Sequence, residues 1–229
     1  MSRNILVAAA HPDDEVLGCG AVMAKHAAAG DSVHVLIMAE GATSRVGMRD
    51  RQACTGELAM LAAAAREAGD ILGATSVEVL DFPDNRMDSC DLLDVVKAVE
   101  GHMETIKPDT VYTHHGGDLN VDHQVVHQAV MTACRPVPGQ SVREILFFEV
   151  PSSSEWNTPE PASAFLPNCF VDVSEHLPAK LAALETYQVE MRPWPHARSI
   201  ISCEHLARWR GASVGAEAAE AFVIGRLVR

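Results

Sequence analysis

Residues 4–15 run Asn4-Ile5-Leu6-Val7-Ala8-Ala9-Ala10-His11-Pro12-Asp13-Asp14-Glu15. A short apolar run that halts on an imidazole and three carboxylates is the pattern of a buried strand whose carboxyl end opens into a polar loop. Asn4–Ala9 is therefore read as the first strand. Val16–Ala29, rich in alanine and closed by Gly30, is the helix that follows it.

The same succession recurs downstream. Val33–Met38 is a second strand, Met48–Ala68 a helix with Gly69 near its end, and Val77–Leu80 a third strand leading into the loop Asp81–Arg86. Asp91–Ile106 is a helix stopped by Lys107-Pro108-Asp109, and Thr110–Thr113 is a strand that enters the loop His114–Asn120. A helix from Asp122 to Cys134 and a strand Ile145–Glu149 follow. Alternating strands and helices predict an α/β fold: a mostly parallel sheet with helices on both faces. Ligands in such folds bind beyond the carboxyl ends of the strands. His11–Glu15, Asp81–Arg86 and His114–Asn120 each follow a predicted strand, so they should converge on one crevice. The Ser-, Pro- and Asn-rich segment Pro151–Pro167 is read as a loop on the substrate side. The residues beyond it depend on the sheet, which makes 1–229 a single domain.

Of the 229 residues 48% are hydrophobic and 21% charged, enough apolar material for a sizeable core. Against 31 Asp and Glu stand 18 Lys and Arg, a formal charge of −13 that repels phosphate backbones and anionic lipid surfaces. No nucleic acid or membrane partner is expected, and a homo-oligomer is left open. No stretch approaches the roughly 18 apolar residues of a membrane span. The six cysteines form no CxxC pair and lie mostly in apolar or helical surroundings, as reduced thiols of a cytoplasmic protein do. There is no GxGxxG after the first strand, which argues against a dinucleotide.

His11 and Asp14 are three residues apart, so one tight turn can bring an imidazole nitrogen and a carboxylate oxygen to one metal ion. Asp13 points differently and is placed to take a proton over the open coordination position. A catalytic zinc ion needs a third protein ligand and a place for water, and Asp122-His123 is the best source of that ligand. His114, His115 and His127 remain as alternates or supporting groups. Asp122 is read as a helix cap or as the acceptor that orients an imidazole.

Ala10-His-Pro-Asp-Asp-Glu15 paired with Gly117-Asp-Leu-Asn-Val-Asp-His123 resembles the PIG-L/LmbE-like family of zinc-dependent N-acetylsugar deacetylases. The resemblance implies a Rossmann-like fold, Zn2+ held by His11, Asp14 and His123, and Asp13 as general base. It also implies a small-molecule acetamido-sugar substrate that loses its acyl group. Relatives often carry a histidine where this chain has Asn120, and some carry a tyrosine where it has Asp118. Asn120 donates a hydrogen bond but cannot titrate, so the acid step falls to Asp13, Asp118, His114 or His115. Asp13, Asp118 and Asn120 are thus the expected catalytic set. The segment Arg192–Ser199 is similar to a PHPRS-like stretch of one subgroup. Its positive charge, with Trp194, Arg208 and Arg210 nearby, suits a sugar bearing a phosphate or nucleotide diphosphate. Arg45, Asp84, His115, His196 and Arg198 are the expected substrate contacts, with Arg49 and Arg86 as further loop cations. Two alternatives stand beside this reading: an amidase acting on a non-sugar conjugate, and a non-catalytic binding module. The joint presence of His11, Asp13, Asp14 and His123 argues against the second.

Overall fold

Ile5 and Val7 of the first strand pack to one side while Leu6 and Ala8 pack to the other, all fully buried, and the strand accordingly lies at the centre of the sheet. The computed structural model describes residues 2–45, 47–158 and 160–229. Strands β1 (Asn4–Ala9), β2 (Ser32–Ala39), β3 (Ser76–Phe82), β4 (Thr110–His114) and β5 (Glu144–Phe148) are joined by helices α1 (Asp14–Ala28), α2 (Thr55–Leu72), α3 (Leu92–Ile106) and α4 (Val121–Ala133). After β5 come β6 (Cys169–Asp172), α5 (Leu177–Thr186), α6 (Ile200–Ala212) and β7 (Ala219–Leu227). The seven strands are ordered β3-β2-β1-β4-β5-β7-β6, with the first five parallel. The last two are antiparallel additions. Helices α1, α2, α5 and α6 cover one face, and α3 and α4 cover the other. Among the described residues no helix is long and apolar enough to cross a membrane.

Strand order reverses between β1 and β4, so the loops leaving these two neighbours diverge and leave a crevice between them. Both histidine-bearing motifs leave the sheet there.

The expected helix Met48–Ala68 is shifted. Residues 49–54 stay in turns because the Asp50 carboxylate accepts the amides of Gln52 and Ala53, while Arg49 and Arg51 pair with Glu40. The helix runs past Gly69 to a left-handed Gly73 (φ 73°). Gly69 lies against Val77, where an added Cβ would come within 2.3 Å of a methyl group, so it permits close packing and ends nothing. The segment beyond Pro151 is a loop, as expected, with Pro159 outside the described residues.

Helix α1 is broken at Cys19 (φ −149°). The Ala21 and Val22 amides, which lack their usual carbonyls there, donate to the two oxygens of Glu220 at 3.1 and 2.7 Å. Lys180 Nζ donates to Leu17 O at 2.8 Å and to Glu220 at 2.6 Å. A buried ion pair contributes little net stability against its desolvation, but each charge here also meets backbone groups the break exposes. Residues of α5 and β7 thereby fix how the first turn of α1, which carries Asp14 and Glu15, meets the crevice.

Candidate active site

Where β1 ends, the chain turns sharply. His11 O accepts the Asp14 amide, and Asp13 takes up φ 117°, ψ −28°, a conformation unfavourable for any residue with a Cβ. Such a backbone costs on the order of 1–3 kcal/mol and persists only where its surroundings hold it. The holding contact is Glu15, whose Oε2 accepts the Asp13 amide at 3.1 Å while Tyr187 donates to its Oε1 at 2.5 Å. Gly41 (φ 83°) faces Pro12 from the end of β2, where a Cβ would meet the proline ring at 2.6 Å.

Asp14 Oδ2 is the meeting point. It lies 3.1 Å from His11 Nδ1 and 3.1 Å from His123 Nε2, and it accepts the His11 amide at 2.9 Å. The remaining nitrogen of each imidazole faces a buried carboxylate. His11 Nε2 is 3.0 Å from Asp122 Oδ2, and His123 Nδ1 is 3.1 Å from Asp118 Oδ1. Asp122 is held in turn by the Asn85 and Met87 amides, at 2.6 and 2.8 Å, and Asp118 by Ser153, Ser154 and the Asn120 amide. Two imidazoles and one carboxylate, each imidazole backed by an anion, form a donor set suited to a metal ion with an open face. Donor atoms of His11, Asp14 and His123 all lie within 4.8 Å of one another. A second group, His11 with Asp84 and Asp122, shares His11, but both oxygens of Asp122 already accept backbone amides.

Electrostatics follow the geometry. Burial disfavours the charged form of His123, but Asp14 and Asp118 outweigh it and hold the imidazole pKa at about 9. Burial likewise opposes protonation of His11, and Asp122 and Asp14 overcome it. Burial would raise Asp118, yet His123 and the two serines bring it down to about 2. Asp13 is pushed well above the usual carboxylate range, by burial first and by the charge of Asp14 second, with Arg198 opposing. His114 is held neutral by burial and by the neighbouring His123.

These groups floor a polar cavity of about 220 Å3, walled by Ser44, Arg45, Asp84, Asn85, Asn120, Ser152, Ser153, Glu190, Arg192 and Arg198. Of the expected substrate contacts, Arg45, Asp84 and Arg198 are there. His115 and His196 are not. His115 Nε2 is bound to Ser163 O at 2.9 Å and its ring meets Phe165, while His196 accepts the Arg198 amide and meets Trp156 edge-on. Arg49 reaches Glu40 and Arg86 reaches Gly47 O, neither walling the cavity. Arg208 pairs with Glu204 and Arg210 with Glu149, and Trp194 lies against His205 away from the site.

The expected catalytic residues divide similarly. Asp13 faces the cavity. Asp118 is fully buried behind His123 and held ionised, which removes it as a proton donor and makes it the group that orients His123. Asn120 borders the cavity but is the N-cap of α4: its Oδ1 accepts the Asp122 amide at 2.8 Å and its Nδ2 donates to Asn85. His114 is fully buried, takes the Ala10 amide on Nε2 and stacks on His123 at 3.9 Å, and His127 Nδ1 donates to the His114 carbonyl at 2.9 Å. Asn85, Ser152, Ser153 and Arg192 wall the cavity from segments expected on this side, though the sequence did not single them out, and Glu190 lies outside all of those segments.

The PIG-L family profile, described as GlcNAc-PI de-N-acetylase, matches residues 6–134. The chain belongs to the PIG-L family. It is 34% identical over 192 residues to the uncharacterized deacetylase YaiS of Escherichia coli, covering 81% of this chain and 91% of that one. It is 28% identical over 243 residues to 1D-myo-inositol 2-acetamido-2-deoxy-alpha-D-glucopyranoside deacetylase 1 of Saccharopolyspora erythraea, covering 83% and 78%. The fold superposes on N,N'-diacetylchitobiose deacetylase from Pyrococcus horikoshii with a TM-score of 0.76 at 18% identity, over 98% of this chain and 84% of that one. The PIG-L match ends at Cys134, the C-cap of α4, so Glu190, Arg192 and Arg198 lie in the part of the chain beyond it.

Deacetylases of this family depend on a metal, and here the ion has protons to displace. Metal affinity should therefore rise with pH until the His123 imidazole has lost its proton at about 9, with one to two protons released per ion. Chelator competition across that range measures it, and a flat profile would put the ion on groups other than His11 and His123. In the metal-free protein the sign is opposite. The raised His123 stabilises the fold fully below its ordinary value of 6.5, and that contribution is lost as pH climbs through about 9.

Proposed function

We propose that the protein is a zinc-dependent N-deacetylase that hydrolyses the N-acetyl group of a 2-acetamido sugar or sugar conjugate to an aminosugar and acetate. The observation that carries the reading is the convergence of His11, Asp14 and His123 with Asp13 beside them at the floor of a polar cavity. Zinc bound by these three residues would polarise the amide carbonyl and lower the pKa of the attacking water. Asp13, whose carboxyl burial pushes above the usual carboxylate range, would accept a proton from the attacking water and return it to the departing nitrogen. Asp122 and Asp118 face one nitrogen of each imidazole, which would leave His11 Nδ1 and His123 Nε2 as the nitrogens to hold the ion.

Specificity falls to the walls. Ser44, Asp84 and Asn85 present hydroxyl, carboxylate and amide groups suited to sugar hydroxyls. Arg192 donates Nη1 to Val189 O and Met191 O, which leaves its charge without a carboxylate partner among these contacts and suited to an anionic substituent such as a phosphate. The printed activities of the relatives, acting on an inositol-linked acetamido sugar and on diacetylchitobiose, support a sugar conjugate. The unit is the whole of residues 1–229, since β7 completes the sheet beside β5 and the stretch before α6 walls the cavity. Six free cysteines fit a reducing cytoplasm.

The test is acetate release by the zinc-loaded protein from free, phosphorylated and nucleotide-linked N-acetylsugars. Release from at least one member is expected. None from any, at full metal occupancy, would turn the reading to a non-sugar amide.

A further inference from the structure

Amide hydrolysis creates a negative charge on the former carbonyl oxygen, and preorganised donors at that point are worth large factors in rate. With a histidine replaced by Asn120, the donor has to be found elsewhere. Accounting for each polar group at the cavity narrows the choice. The Asn120 amide is spent on the α4 cap and on Asn85. His114 is buried with Nε2 on the Ala10 amide, and His115 is bound to Ser163. Asp118 accepts only, and Ser153 donates to it. Arg45 is held between Glu57 and Glu190.

Of the two cations left on the wall, Arg192 gives its Nη1 to Val189 O and Met191 O, and Arg198 lies beside the reacting groups. Arg198 Nη1 lies 3.3 Å from Asp13 Oδ2 and 3.8 Å from Glu190 Oε2, and both Asp13 and Arg198 wall the same cavity. Its place is fixed from several sides. The Arg198 amide donates to His196 Nδ1, its carbonyl accepts the Arg192 amide, and the next residue, Ser199, caps α6. Its Nε is buried with no acceptor among the described residues.

We propose that Arg198 is a catalytic residue that carries the oxyanion of the tetrahedral intermediate, exchanging Asp13 for the substrate oxygen as the reaction proceeds. The inference rests on the deacetylase reading above. In the first step the water oxygen bonds to the amide carbon, the carbonyl π pair moves onto its oxygen, and the water proton passes to Asp13. Negative charge leaves the carboxylate and arises on the substrate in the same event, so the guanidinium exchanges one anion for another while Glu190 stays beside it. In the second step the oxygen pair re-forms the carbonyl, the C–N bond breaks, and the nitrogen takes the proton from Asp13. The guanidinium then pairs with Asp13 again.

The experiment compares zinc-loaded wild type, Arg198→Ala and Arg198→Lys, with Arg208→Ala, on the exposed far side of α6, as a control. Calorimetric binding of methylphosphonate, a tetrahedral anion, should weaken at least about tenfold in Arg198→Ala with zinc content unchanged. On the acetamido sugar that wild type turns over, kcat should fall by about 10²–10³-fold with KM altered far less, and added guanidinium should restore part of it. Arg198→Lys should lie between. Equal methylphosphonate affinity in Arg198→Ala, or kcat within about threefold of wild type, would overturn the proposal. If wild type releases no acetate from any sugar while Arg198→Ala still loses methylphosphonate, the deacetylase reading fails and the anion site stands.

Discussion

Replacing Asp13 with asparagine should leave the fold and the metal content close to wild type while lowering kcat by roughly 10²–10⁴-fold, with KM changing much less. Three features of the site make this substitution clean. Asparagine tolerates positive φ better than most residues, so the turn at 117° survives. The contact that holds the turn comes from the Asp13 main-chain amide to Glu15, which the substitution does not touch. Asp13 is also outside the group of donor atoms formed by His11, Asp14 and His123. What is lost is the capacity to accept a proton and the charge that faces Arg198. Elemental analysis alongside steady-state kinetics decides the matter. Metal lost together with activity would make Asp13 a ligand, and near-normal kcat with metal retained would sink its role as base.

The half of the molecule that ends at α4 was legible because its polar clusters interrupt buried apolar runs. His11–Glu15 follows β1, apolar and fully buried from Ile5 to Ala9, and the histidine loop follows β4, whose five residues are all buried, so the parallel order of β1 and β4 brings the clusters together. The other half was not, for physical reasons that differ by residue. Strand β7 returns antiparallel to β5, and the irregular stretch between α5 and α6 carries Glu190, Arg192 and Arg198 to the cavity without any period that marks the approach. His196 and Arg198 are two residues apart, but the turn that lets His196 accept the Arg198 amide sends one ring to Trp156 and the other side chain to Asp13. Ser153 and Ser154 sit in a segment that reads as a plain loop, yet both hydroxyls converge on Asp118. Asn120 shows the converse: a residue read as a changed catalytic group proves to be the N-cap of α4, holding His123 one turn into its helix.

Removing the imidazole in His123→Ala should abolish most metal binding and, with it, activity. Its Nε2 is one of three donor atoms, and two are too few for an open catalytic site. The stacked neighbour His114 is the natural replacement, lying 3.6 Å from Asp14 Oδ2. That substitution is costly, because turning His114 toward the ion orphans the buried Ala10 amide, a loss of about 1–3 kcal/mol. Asp118→Asn should give a graded result. His123 stays, but its Nδ1 loses the anion behind it, and metal affinity should fall by about 10–100-fold without disappearing. His123→Gln, closer to the imidazole in volume, controls for a collapsed cavity at this buried position. Full metal occupancy in His123→Ala would remove His123 from the ligand set. Full metal affinity in Asp118→Asn would mean that the anion behind the imidazole contributes nothing to holding the ion.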